Sequence, residues 1–161
     1  MEHEVAVFEV EEQRVLSIRG RIEQGRIPPF IGGSFDELFG RLALLGVAPA
    51  GPPFVIYHEF APHDIDAEVC VPVSAPVEAS GRIQARVIPK MTVARTLHVG
   101  PYDQLGEAYR AINDWVEREG VDGAGPLHER YLNGPGDVAS PAEYRTEVDL
   151  PIVATPAAVP I

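Results

Sequence analysis

Two stretches of this 161-residue chain, DAEVCVPV at positions 66–73 and RTEVDLPI at 145–152, match at a constant offset. Glu68 falls on Glu147, Val69 on Val148 and Pro72 on Pro151, each pair 79 residues apart. Self-similarity at a fixed spacing makes each half a supersecondary unit of the same kind, which restricts the chain to folds with two equivalent halves. The flanking elements agree. In the first half, Phe35, Leu38, Phe39, Leu42 and Leu45 recur at helical spacing, with Ser34 placed to cap the helix and Gly46 to end it. In the second, Leu105, Ala108, Tyr109, Ile112, Trp115 and Val116 form the apolar face of a helix that begins near Pro101, whose preset φ suits a first turn. Each helix leads through a loop rich in Gly, Pro and Ala into two extended segments, 54–60 with 64–73 and 127–132 with 144–152. With a strand ahead of each helix, the order is βαββ twice. Two such repeats predict an α+β fold, an antiparallel sheet carrying two main helices.

The seam between the halves is APVEASGR at 75–82, which sets repeat halves of about 5–75 and 83–153 within one domain spanning 1–153. The remaining residues, 154–161, are rich in Pro and Ala and read as an extended tail. A chain of this length buries one substantial core, and 45% apolar with 23% charged residues is an ordinary globular composition. No apolar run approaches the length of a membrane span and the first ten residues lack the features of a secretory signal, so a cytoplasmic protein is expected. The single cysteine, Cys70, can close no internal disulfide and reads as a packing residue. With 24 acidic against 13 basic residues the formal charge is -11, which repels phosphate backbones and argues against direct nucleic-acid binding.

The stretch HVGPYDQLGEAYRAINDWVEREG, 98–120, leads through His-x-Gly-Pro-Tyr into a helix carrying Tyr and Trp. In this it resembles the GyrI-like, or AraC-type effector-binding, family of small-molecule-binding domains. The resemblance extends to 15–22 as the opening strand, to 53–60 with 64–73 as the middle hairpin and to YRTEVDLPI at 144–152 as the closing strand. It covers roughly residues 5–153 in the expected order. It implies the two-repeat fold with a ligand cleft between the halves and an aromatic or cationic ligand; no cofactor is expected. Members of that family often stand behind a DNA-binding domain in transcription regulators, and this chain resembles a stand-alone version.

Carried onto this sequence, the resemblance places Glu147 in the cleft as the charge partner of the ligand, with Tyr57 and Tyr102 as aromatic walls. The residues themselves leave two options for Glu147. It alternates with Arg145, Asp149 and Pro151 on one face of its strand, while Tyr144, Thr146, Val148, Leu150 and Ile152 share the other, and a carboxylate so placed is either solvated or paired with a cation. Glu68, its repeat mate, reads first as solvated. Phe54, Tyr109, Trp115 and Tyr131 complete the aromatic set: Tyr109 can pack its ring in the core and send its hydroxyl to the cleft, and Trp115 reads first as core. Aromatic rings supply flat walls and cation–π contacts in an otherwise apolar site. The five histidines, His3, His58, His63, His98 and His128, lack metal-ligand spacing, so no metal is expected. His98 is placed to end a strand and fix the Gly-Pro turn.

The expected partner is therefore a small hydrophobic, aromatic or cationic molecule. Two other functions stand beside binding. Some stand-alone members of the family hydrolyse reactive cyclopropane-containing compounds, which here makes Glu147 a general base and Tyr57 an orienting hydroxyl. Another member inhibits DNA gyrase, which makes the acidic surface a module for engaging a protein partner.

Overall fold

The computed structural model describes residues 3–153, so the expected tail at 154–161 lies outside the described residues. In chain order the elements are β1 (Ala6–Val10), β2 (Gln13–Ile22), α1 (Ile27–Leu45), β3 (Phe54–Ala61), β4 (Asp64–Val73), β5 (Gln84–Ile88), β6 (Met91–Val99), α2 (Leu105–Glu119), β7 (Leu127–Tyr131) and β8 (Arg145–Pro151). The fold is α+β and the strands of each repeat pair antiparallel, as the two repeats require. Neither helix is long and apolar enough to cross a membrane.

The chain divides into two units. The N-terminal unit runs from Glu12 to Pro89 and pairs its strands in the order β3-β4-β2-β5. The C-terminal unit combines the residues up to Glu11 with those from Lys90 onward and has the order β1-β6-β8-β7. The repeat is thus physical, with β2, α1, β3 and β4 matching β6, α2, β7 and β8. Each unit also holds a strand that the sequence pattern did not separate from its neighbours. These two strands exchange: β1 runs almost directly into β2 yet pairs with β6, and β5 runs into β6 yet pairs with β2.

In the N-terminal unit Leu16, Ile18, Val69 and Val71 share one sheet face through the β2–β4 register and are fully buried. Gly20 lies on that same face, and a Cβ there would sit 2.9 Å from the Phe30 ring of α1, so any side chain would have to displace that ring. The α1 residues Leu38 and Leu42 are buried with that face. The start of α1 differs from expectation. Ser34 does not cap the helix; it is a buried residue in its interior, and α1 begins at Ile27 with prolines in the first turn, where a missing N–H costs nothing. The end is as expected, at Gly46 in the left-handed region, with Gly46 N donating to Ala43 O and Val47 N to Leu42 O.

In the C-terminal unit α2 lays Leu105, Ala108 and Ile112 on Val148 of β8, with Tyr109, Val116, Leu127 and Leu150 packed around them. Each large buried aliphatic there contributes roughly 2 kcal/mol. Ahead of α2 a short 3-10 turn covers Tyr102–Gln104, so the helix proper starts at Leu105 and not beside Pro101.

Candidate functional site

The faces of the C-terminal sheet follow from its register. Val148 meets α2, so Thr146 two residues before it and Glu129 opposite it on β7 share the α2 side, whereas Glu147, Asp149, Arg95 and Arg130 lie on the side turned away. On that far side the acids are neutralised by the chain itself. Asp149 accepts from Arg95 Nε at 2.7 Å, Arg95 Nη2 at 3.0 Å and Arg130 Nη1 at 2.9 Å, and Glu147 stands 3.5 Å from both guanidiniums. Burial alone would raise the Asp149 carboxyl, but the two arginines outweigh it and hold it below the usual carboxylate range.

Glu68 occupies the equivalent face of the N-terminal unit. Its fully buried carboxylate accepts from Ser17 Oγ at 2.6 Å and from Arg86 Nε and Nη2 at 2.7 and 2.8 Å, with His58 Nε2 at 2.8 Å. His58 reaches it at a bulge between Tyr57 and Glu59. Here too burial is outweighed by the hydrogen bonds of Arg86, Ser17 and His58, and the carboxyl titrates low. Glu68 and Glu147 are repeat mates in structure as in sequence, and both stand against arginine.

The α2 side carries a carboxyl in a different state. Glu129 is buried on β7, takes part in no ion pair among the described residues and accepts one hydrogen bond, from Tyr131 Oη at 2.7 Å. Burial drives its pKa up from 4.5 to about 7, with the tyrosine hydroxyl opposing. Its donor Tyr131 is one of a group of three tyrosine rings. Tyr102 stacks on Tyr144 with centroids 4.6 Å apart and meets Tyr131 edge-on at 5.8 Å. The Tyr102 hydroxyl is itself raised, by burial first and then by Tyr144, Glu129 and Asp137. Yet Tyr102 remains 38% exposed, so this tyrosine group is open to solvent on one side.

The backbone around the rings is fixed by hydrogen bonds. Gly100, at φ 139°, takes a conformation that side chains disfavour and donates its N–H to Tyr144 O at 2.8 Å, which ties the turn before Tyr102 to its stacking partner. His98 Nε2 lies 3.0 Å from Pro101 O and its Nδ1 lies 3.1 Å from His3 Nε2, so His98 donates to the carbonyl and accepts from His3. His98 thus fixes the Gly-Pro turn, as expected. On the other flank Asn133 accepts from Arg145 N at 2.8 Å and donates to Glu143 O at 3.1 Å, clamping both neighbours of Tyr144.

Of the residues expected at the site, Tyr102 belongs to this group. Tyr109 is half-buried against the α2 core and Trp115 is half-buried on the same helix. Tyr57 and Phe54 belong to the N-terminal unit. Tyr57 is half-buried with Phe60 edge-on at 5.6 Å, and Phe54 is fully buried opposite Cys70 on the face away from α1. Cys70 is a buried thiol raised well above its ordinary value by burial. No three His, Cys, Asp or Glu side chains among the described residues stand close enough to hold a metal.

Glu129 and Tyr144 were not singled out by sequence reasoning, and Tyr131 entered it only as one of the available aromatic rings. A signal was nevertheless present. In LHERY the period-two pattern puts Leu127, Glu129 and Tyr131 on one face, an acid where the neighbours are apolar or aromatic. By strand register the counterpart of Glu129 in the N-terminal unit is Val55, and that of Tyr131 is Tyr57, so the buried acid is a departure from the repeat.

A family model described as the GyrI-like small molecule binding domain matches residues 3–153. No curated protein matches the chain. Among solved structures, the EcmrR C-terminal domain is 27% identical with a TM-score of 0.85, over 96% of this chain and 100% of that one. EcmrR in a DNA complex is also 27% identical, with a TM-score of 0.82 over 93% of this chain, which spans 57% of that longer protein. The fold is shared more distantly by a hydrolase from Listeria innocua, 14% identical with a TM-score of 0.64 over 92% and 91% of the two chains. It is shared also by SAV2435 bound to tetraphenylphosphonium, 13% identical with a TM-score of 0.60 over 95% and 94%.

Proposed function

The chain belongs to the GyrI-like small-molecule-binding domain family, and we propose that it binds an aromatic organic cation at Glu129, between the rings of Tyr102, Tyr131 and Tyr144. One contrast carries this: Asp66, Glu68, Glu147 and Asp149 each have an arginine of the chain against them, whereas buried Glu129 has none among the described residues. A buried carboxylate is costly unless paired, and a cation from outside supplies the pairing. The tyrosine faces add cation–π and stacking contacts while their exposed side admits the ligand. The same chemistry would let the protein sequester toxic aromatic cations.

Tetraphenylphosphonium is a suitable probe, measured by titration calorimetry. Binding requires the ionised carboxylate, so affinity is full at pH 8 and falls about tenfold per pH unit once the pH drops below about 7. Glu129→Gln weakens binding by about 30-fold at pH 8 and flattens the pH dependence, while Glu147→Gln leaves both unchanged. Equal affinity of the Glu129→Gln variant and the parent protein would refute the assignment.

A second function is favoured by the same residue. A carboxyl near pH 7 is matched to general-base work, and Glu129 could activate water against an electrophilic cyclopropane substrate. The two functions separate by turnover: ring-opened product that disappears in Glu129→Gln identifies the hydrolase, and binding without product identifies the receptor.

A further inference from the structure

Thr146 is fully buried, and its Oγ1 has no hydrogen-bond partner among the described residues. Its position is defined on every side by the register. On β8 it shares the α2 face with Val148, it stands opposite Tyr131 on β7 and opposite His98 on β6, and the extended backbone of Tyr144 continues its strand two residues earlier on the same face. Tyr131 and Tyr144 are both ring partners of Tyr102, so the register sets Thr146 next to two members of the tyrosine group. The neighbours that could hydrogen-bond it are committed elsewhere. Tyr131 donates to Glu129, and His98 is engaged on one nitrogen by Pro101 and on the other by His3. The contrast with Thr96, on the same face of β6, is direct: its hydroxyl donates to Glu4 O at 2.7 Å. A buried hydroxyl without a partner is destabilising, and valine would fill the same volume without that penalty.

We infer that Thr146 is a specificity residue, whose hydroxyl hydrogen-bonds a polar group carried by the ligand, so that the site selects aromatic cations bearing a hydroxyl, amine or carbonyl over purely hydrocarbon ones. The assignment rests on the proposed cation site at Glu129. It adds a second requirement to it. Glu129 reads the charge, the tyrosine rings read flatness, and Thr146, able both to donate and to accept, reads one polar substituent.

The test compares tetraphenylphosphonium with its analogues carrying one hydroxyl on a phenyl ring, meta or para. In the parent protein at least one hydroxylated analogue binds about tenfold more tightly than tetraphenylphosphonium. Thr146→Val removes that preference by weakening the hydroxylated analogue far more than tetraphenylphosphonium, Thr146→Ser retains part of the preference, and Glu129→Gln weakens all the probes alike. The ligand-free Thr146→Val protein melts about 3 °C higher, because an unsatisfied polar group has been removed. Equal binding of all the probes to the parent, or a Thr146→Val loss shared by every probe, overturns the role of Thr146 and leaves the cation site standing. If no probe binds, the cation reading fails and the Thr146 assignment falls with it; a lower melting temperature of Thr146→Val overturns the assignment on its own, by showing a hydroxyl already bonded within the protein.

Discussion

A carboxyl moved from 4.5 to about 7 by burial couples stability to pH in the opposite sense from the arginine-paired acids. The folded chain keeps the Glu129 proton up to about pH 7 while the unfolded chain releases it near 4.5, so the folded state binds more protons in that window and loses stability as pH rises through it. Fully ionised, the group costs roughly 3 kcal/mol. Glu68 and Asp149 act in reverse: their folded values are lowered, and the stability they contribute is lost as pH falls from the unfolded carboxylate range through those lowered values. Chemical denaturation of Glu129→Gln and the parent at pH 4 and pH 8 checks the first statement. The stability of the variant relative to the parent increases by roughly 3 kcal/mol between the two, and a constant difference would place the Glu129 titration elsewhere. At this scale the sequence offered an acid two positions before a tyrosine. It did not offer the burial that makes the acid unusual, because burial is set by the packing of residues far away in the chain.

At the scale of elements, β8 does two jobs at once. Its α2 face supplies Val148 to the core and Thr146 to the tyrosine group, and its other face supplies Glu147 and Asp149 to the arginines of β6 and β7. The alternation was legible from YRTEVDLPI, since a period of two assigns faces without further information. Which face meets the helix and which acid meets arginine was not. Arg95 and Arg130 lie 54 and 19 residues before Asp149 in the chain, and they reach it only through the register of β6 and β7 on β8. The helix α2 is the other half of this arrangement, and Ile112 is its most buried large side chain. Ile112→Ala removes its contacts with the β8 face and is expected to cost about 3 kcal/mol in denaturant unfolding. A cost below about 1 kcal/mol would mean that α2 is not held by this face.

Over the whole molecule the formal charge of -11 acts on any cationic ligand before contact. Association of tetraphenylphosphonium, followed by stopped flow, is expected to slow as ionic strength rises from about 0.02 to 0.2 M, while dissociation changes little, because screening weakens long-range attraction more than a buried contact. An association rate independent of salt would assign the net charge to solubility alone. The two-repeat architecture, the α+β class and most strand positions were legible in the sequence, since the 79-residue offset and the helical and two-residue periodicities are local patterns. The exchange of β1 and β5 was not legible, because both strands pair with partners distant in the chain. Nor was the choice among the acids. By itself the sequence determined which residues alternate and recur. The tertiary structure decided that Glu68 and Glu147 meet arginine and that Glu129 is buried without it, because a carboxylate takes its chemistry from the groups that packing brings against it.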